Sequence, residues 1–137
     1  MMRVGKTALL AAAIVAVLLP EYADAAELTG AWAPDADKCD KVFVRRGRVK
    51  QIDFAKFSSL HGGGFIIEAD RLRGKFAKCT IKTRKEDGQG LNLIAGCATD
   101  IMLSNVQFVL KVVDDDNITR LFPGIEGMEV KYHRCRL

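Results

Sequence analysis

The sequence predicts an all-β domain: a small antiparallel barrel or sandwich of seven to eight strands, stapled by two disulfides. Three observations lead there. Short runs with period-two alternation recur about every ten residues after residue 28. Gly- and Asp-rich breaks separate them. Four cysteines (Cys39, Cys79, Cys97 and Cys135) follow a segment that reads as an export leader.

That leader comes first. Arg3 and Lys6 precede an unbroken apolar run over residues 8–19, which Pro20 ends and Ala23-Asp24-Ala25 follows. A positive start, a short apolar stretch and a small-x-small site together define a secretory signal peptide, with cleavage expected near Ala25. Twelve residues make about 18 Å of helix, too short for a hydrocarbon core of roughly 30 Å. Residues 1–25 are therefore read as a cleaved signal peptide and 26–137 as a single β domain, periplasmic or secreted. No integral membrane segment is expected after cleavage.

Composition narrows the rest. The 137 residues carry 21 Lys+Arg against 17 Asp+Glu, a net charge of +4. The leader holds two of each sign (Arg3, Lys6, Glu21, Asp24), so the balance survives its removal. A chain this short supports one modest core, which excludes a Rossmann enzyme, a TIM barrel or a two-domain hydrolase.

Residues 28–32 open the domain as a first strand containing Gly30-Ala31-Trp32, with Trp32 expected in the core. Residues 42–44, 49–54, 64–69 and 71–76 read as further short strands, with helix confined at most to 34–40 and 54–60. Residues 76–84 and 91–98 form a strand pair around the Gly88 turn. Residues 106–113 alternate next, and Asp114-Asp115-Asp116-Asn117 makes a solvated turn. Residues 118–122 and 128–133 close the series.

The even cysteine count in an exported small domain points to disulfides, and spacings of 40, 18 and 38 residues leave no metal-type pair. Cys79 and Cys97 lie on the apolar parity of neighbouring strands. A three-residue loop at Glu86-Asp87-Gly88 would set position 79 opposite 95, making a Cys79–Cys97 bond diagonal. Cys39–Cys79 with Cys97–Cys135 is therefore preferred, and Cys39–Cys97 with Cys79–Cys135 comes second.

Candidate chemistry is sparse. His61-Gly62-Gly63-Gly64 is similar to the oxyanion loop of α/β-hydrolase esterases, but no G-x-S-x-G accompanies it. A flexible turn before a strand is the expected reading. Ser58, Ser59 and Ser104 sit in no nucleophile elbow, His61 and His133 are the only histidines, and oxidised cysteines cannot attack. The acidic run at 114–117 fails the EF-hand pattern, with Thr119 where Gly is needed. Neither catalysis, metal nor cofactor is expected.

The basic residues point to a partner. Arg45, Arg46 and Arg48 cluster in one turn-like segment. Alternation places Arg71, Arg73 and Lys75 on one strand face, with Leu72, Gly74 and Phe76 opposite. These six cations are the expected binding site for an acidic protein surface or an anionic envelope component. Nucleic acid is not expected, given the compartment and the lack of an aromatic basic platform.

Trp32, Cys39, Cys79, Cys97 and the terminal Tyr132-His133-Arg134-Cys135 together resemble a pattern in small exported alphaproteobacterial proteins, which brings no activity with it. Gly30-Ala31-Trp32 alone resembles the first strand of lipocalins and of periplasmic metalloprotease-inhibitor barrels. The inhibitor resemblance implies a protein target, reached through the N-terminal residues Ala26-Glu27-Leu28-Thr29. The lipocalin resemblance implies the alternative, a carrier of small apolar ligands. The expectation is a non-catalytic exported binding module, with the carrier second.

Overall fold

The computed structural model describes residues 13–17 and 27–137. The leader assigned to residues 1–25 lies outside the described residues except for 13–17. The chain runs β1 (Gly30–Ala33), a 3₁₀ turn (Ala36–Lys38), α1 (Cys39–Val42), β2 (Phe43–Arg46), β3 (Gln51–Phe54) and a second 3₁₀ turn (Ser58–His61). It continues through β4 (Phe65–Glu68), β5 (Arg71–Arg73), β6 (Lys78–Asp87), β7 (Gly90–Ala98), β8 (Leu103–Asp114), β9 (Asn117–Leu121) and β10 (Glu129–Cys135). Eight strands close an antiparallel barrel in the order β1-β10-β9-β8-β7-β6-β5-β4, while β2 and β3 form a separate hairpin. The all-β barrel expected from the alternation is the observed fold.

Period-two patterning builds the interior. On β7, Leu91, Leu93, Ala95 and Cys97 are buried, while Asn92 and Ile94 face outward. Leu110, Ile118, Phe65, Ile67 and Leu72 join them from the other strands, and Phe108 and Tyr132 pack against this cluster. A small barrel fills its interior with such side chains. Outward positions carry Thr80, Asn105, Gln107 and Lys111. No helix among the described residues is long and apolar enough to cross a membrane.

β1 is apolar on both faces because it separates two cores. Trp32 points inward and is fully buried. Its indole N–H donates to the Leu28 carbonyl at 2.9 Å, and the Arg134 guanidinium lies 4.5 Å from its ring. Ala31 and Ala33 point outward into a second core with Val42, Phe43, Phe54, Ile66 and Cys135. The β2–β3 hairpin and α1 thus cover the outside of β1 and β4, with the Phe43 and Phe54 rings 5.4 Å apart. Gly64 lets β4 begin against β1: a Cβ there would stand 2.3 Å from the Trp32 carbonyl oxygen. The His61-Gly62-Gly63-Gly64 segment is accordingly a turn leading into a strand.

The disulfides are Cys39–Cys135 and Cys79–Cys97. This overturns the preferred pairing Cys39–Cys79 with Cys97–Cys135, and also the second choice. The expected three-residue loop is in fact a two-residue Gly88-Gln89 turn, which pairs Asp87 with Gly90. A bulge between Ile81 and Thr83 then shifts the register by one, and Cys79 lands directly opposite Cys97. Cys39, on α1, is held against the C-terminal end of β10 by the second core, which brings it to Cys135.

Candidate functional site

The six cations expected to form one patch are divided. Arg45 donates to the carbonyls of Lys50 (2.8 Å) and Leu137 (3.1 Å), so it braces the hairpin against the C-terminus. Arg46 and Arg73 converge on Asp53, each at 3.6 Å, and Arg73 also bridges Glu68 at 3.0 Å. Arg73 donates in addition to the Ile52 carbonyl and is only 19% exposed, so its charge is spent on docking β3 against β5. Arg48 lies in the exposed β2–β3 turn.

Lys75 is not on the strand face expected for it. β5 ends at Arg73, and the chain then turns out of the sheet. The Lys75 ammonium donates to the carbonyls of Ala55 (3.3 Å) and Lys56 (2.5 Å). Phe76, expected to face inward, is 74% exposed. Both corrections have one cause: Gly74 breaks the alternation, its N–H bonding the Ala77 carbonyl in a tight turn.

What remains is a smaller basic face that sequence parity alone did not define. Antiparallel pairing sets Arg71 beside Thr80 and Arg73 beside Lys78 on the outer side of β5–β6. With Gln51 and Glu68 these residues line a cleft of about 470 Å³. The Arg71 and Lys78 side chains make no hydrogen bond or ion pair among the described residues. Lys78 belongs to the same basic stretch of sequence but not to the six expected site residues, because its place on this face depends on its cross-strand partner, Arg73.

The two ends of the barrel differ in character. The meander puts the β4–β5, β6–β7 and β8–β9 turns at one end and the β5–β6, β7–β8 and β9–β10 connections at the other. Asp70, Asp87, Asp115 and Asp116 occupy the first end. There Asp114 accepts from the Asp116 backbone N–H and the Asn117 side chain, which hold its carboxyl below the ordinary carboxylate range. Glu27 is lowered in the same way by hydrogen bonds from Thr29, side chain first and then backbone. The second end exposes large apolar side chains on its connections, Phe76, Ile101 and Leu103 among them.

Residues 27–29 are fastened to the barrel. The Arg134 guanidinium donates to the carbonyls of Thr29 and Glu27, both at 2.6 Å, and Leu28 is buried. On β9 the Arg120 guanidinium is sandwiched between Phe108 and Phe122, at 4.6 and 4.7 Å from their centroids. Among the described residues no group of three or more His, Cys, Asp or Glu side chains could hold a metal ion. His133 Nδ1 lies 2.7 Å from Asn117 Oδ1, which joins the ring to the β8–β9 turn.

Neither protein-family models, curated proteins nor solved structures yield a match to this chain.

Proposed function

We propose that this chain is a non-catalytic binding module that works after export, in the periplasm or outside the cell, and engages an anionic envelope component through the outer face of β5–β6. The observation that carries this reading is the cleft at Arg71, Lys78 and Thr80. Two cations there lack intramolecular partners among the described residues, and Thr80 lies directly across the ladder from Arg71 on the same face. Such a face attracts phosphate, sulfate or carboxylate groups and can donate hydrogen bonds to them.

Three features favour this reading over its rivals. The barrel interior is filled by Trp32, Leu93, Leu110 and Ile118, which speaks for surface binding over a small-ligand carrier. Residues 27–29 are pinned by Arg134, so target recognition by insertion of an N-terminal arm is not favoured. All four cysteines are in disulfides, so no thiolate is on hand for chemistry, and both bonds suit an oxidising compartment.

The test is binding to heparin, a soluble sulfated polysaccharide, over a salt series. Affinity should fall steeply with salt, since exposed charges are screened within about 8 Å at physiological ionic strength. The R71E/K78E double variant should lose the interaction while keeping its thermal midpoint. Binding insensitive to both salt and the double variant would remove this face from consideration.

A further inference from the structure

Beside the basic cleft, the barrel end that carries the β5–β6 and β7–β8 connections is unusually apolar at its tips. Phe76 is 74% exposed, Ile101 93% and Leu103 83%, with Met102, Phe57 and Leu60 also exposed. These residues belong to three separate segments that meet at one place. The turn at Phe76 and the turn at Asp100 line a common cleft. Lys75 ties that turn to the 3₁₀ segment by its bonds to Ala55 and Lys56.

The apolar tips come with cations. The Lys75 ammonium lies 5.7 Å from the Phe76 ring centroid and the Lys56 ammonium 5.3 Å from that of Phe57. Lys78 stands at the same margin. Asp53 and Asp100 line the same cleft, Asp53 paired with Arg46 and Arg73, and Glu126 and Glu129 lie on the neighbouring β9–β10 side. At the opposite end of the barrel Asp116 is paired with Arg134 and Arg136.

We infer that this rim is a membrane-docking edge, by which the domain settles on an anionic phospholipid surface with Phe76, Ile101 and Leu103 inserted among the acyl chains. It rests on the proposed anion-binding reading and names the anionic component as the phosphate layer of a bilayer. Two arguments select a bilayer over a protein. The apolar groups project from separate connections at one end of the barrel, Ile101 93%, Leu103 83% and Phe76 74% exposed, a shape suited to penetrating a soft interface. Their lysines are placed to stay at headgroup level while the rings enter the apolar layer, as amphipathic cation–aromatic pairs do at membrane interfaces.

The experiment uses the oxidised protein recovered after export, its N-terminus read by mass spectrometry. The probes are vesicles of phosphatidylglycerol with phosphatidylethanolamine, vesicles of phosphatidylcholine, and heparin. Trp32 is the single tryptophan and is fully buried, so the F76W variant places a reporter on the rim without a competing mobile signal. Its emission should shift to the blue with anionic vesicles and be quenched by brominated lipids. The F76S/I101S/L103S triple variant should lose about tenfold or more in vesicle partitioning, given what burying three large apolar side chains contributes. Its heparin binding should be unchanged, because Arg71 and Lys78 are intact.

Several results would overturn the inference. Heparin binding with no vesicle binding would end it and leave the basic cleft standing. Vesicle binding with F76W unshifted, or with the serine variant unaffected, would also end it. So would concentration-dependent self-association abolished by the serine variant, which would make the rim a contact between copies. Loss of heparin binding alone would remove the cleft reading, and blue-shifted vesicle binding that survives R71E/K78E would show the rim acting without it.

Discussion

Cys79 and Cys97 face each other directly across β6 and β7, and they do so because Lys82 is bulged out of the ladder between them and the turn. The two-residue turn alone would pair Cys79 with Ala98. The extra residue subtracts one position from β6 and brings the two sulfurs together inside the barrel. The Lys82 side chain, thrown outward, runs over Gly96 and donates to Asn105 at 3.1 Å. Gly96 leaves the room this crossing needs.

Peptide mapping under non-reducing conditions should therefore recover Cys79 linked to Cys97 and Cys39 linked to Cys135. The second link should matter more for stability. It closes a separation of 96 residues against 18 for the first. The chain-entropy model gives about 4–5 kcal/mol for a loop near 100 residues and about 3 for one near 15. The C39S/C135S variant should thus show a lower urea midpoint than C79S/C97S. Equal midpoints would place the stabilisation in the folded state instead.

The barrel was legible because its strands alternate cleanly. Leu91, Leu93, Ala95 and Cys97 announce an inward face, and Asp114 to Asn117 announce a turn that the structure indeed makes. The bulge at Lys82 was not legible, since nothing in Thr80-Ile81-Lys82-Thr83 marks which residue leaves the ladder. The cysteine pairing failed with it, as parity flips with every register step. The second core was hidden for a different reason. Val42, Phe43, Ile52 and Phe54 read as two more strands, and only the burial of Ala31 and Ala33 on the outside of β1 shows that these strands cap the barrel instead of joining it. The basic patch was half legible: Arg71 is a free outward cation, but the partners that neutralise Arg73 and capture Lys75 come from distant segments.

Trp32 links both cores through its strand, so its loss should be costly. Trp32→Ala should destabilise by about 3–5 kcal/mol, the range for emptying a large buried aromatic site. Trp32→Phe should recover part of this while losing the hydrogen bond to Leu28 and part of the Arg134 stack. Denaturant unfolding of both variants measures the difference. A change below about 0.5 kcal/mol for the alanine variant would be the value for a surface residue and contradict its burial.

Gly63 and Gly64 offer an internal control. Both have positive φ, 65° and 152°, but a Cβ at 63 meets nothing within 4 Å, whereas one at 64 strikes the Trp32 carbonyl at 2.3 Å. Gly63→Ala should cost about 1–2 kcal/mol, the left-handed penalty alone. Gly64→Ala should cost clearly more, because β1 and β4 must separate to admit the methyl group. Matching melting temperatures for the two variants would argue against this strand contact.

Asp114 should leave a mark on the acid limb of stability. Its folded carboxyl is held below the ordinary carboxylate range, first by the Asp116 N–H and then by Asn117. A depressed carboxylate contributes stability above its unfolded value and loses it as pH falls through the folded one. The stability gap between the parent chain and Asp114→Ala should be constant well above 3.8 and narrow below it. A gap that widens in acid would mean that the β8–β9 turn does not stabilise the carboxylate.

Arg71 and Arg73 are two residues apart on β5 and should behave oppositely. Arg71→Glu removes an exposed cation without an intramolecular partner, so the thermal midpoint should hardly move while anion binding weakens. Arg73→Glu places a carboxylate beside Asp53 and Glu68 and removes the donor to the Ile52 carbonyl. A part-buried hydrogen bond to a charged group contributes roughly 1.5–3 kcal/mol, so the loss should be at least that, with repulsion added. The hairpin β2–β3 should loosen before the barrel does. Hydrogen exchange should then accelerate at residues 51–54 and stay slow at 91–97, where the barrel ladder is untouched. Uniform acceleration across both segments would mean that the hairpin and barrel unfold as one unit, and that Arg73 braces the whole domain instead of joining its two cores.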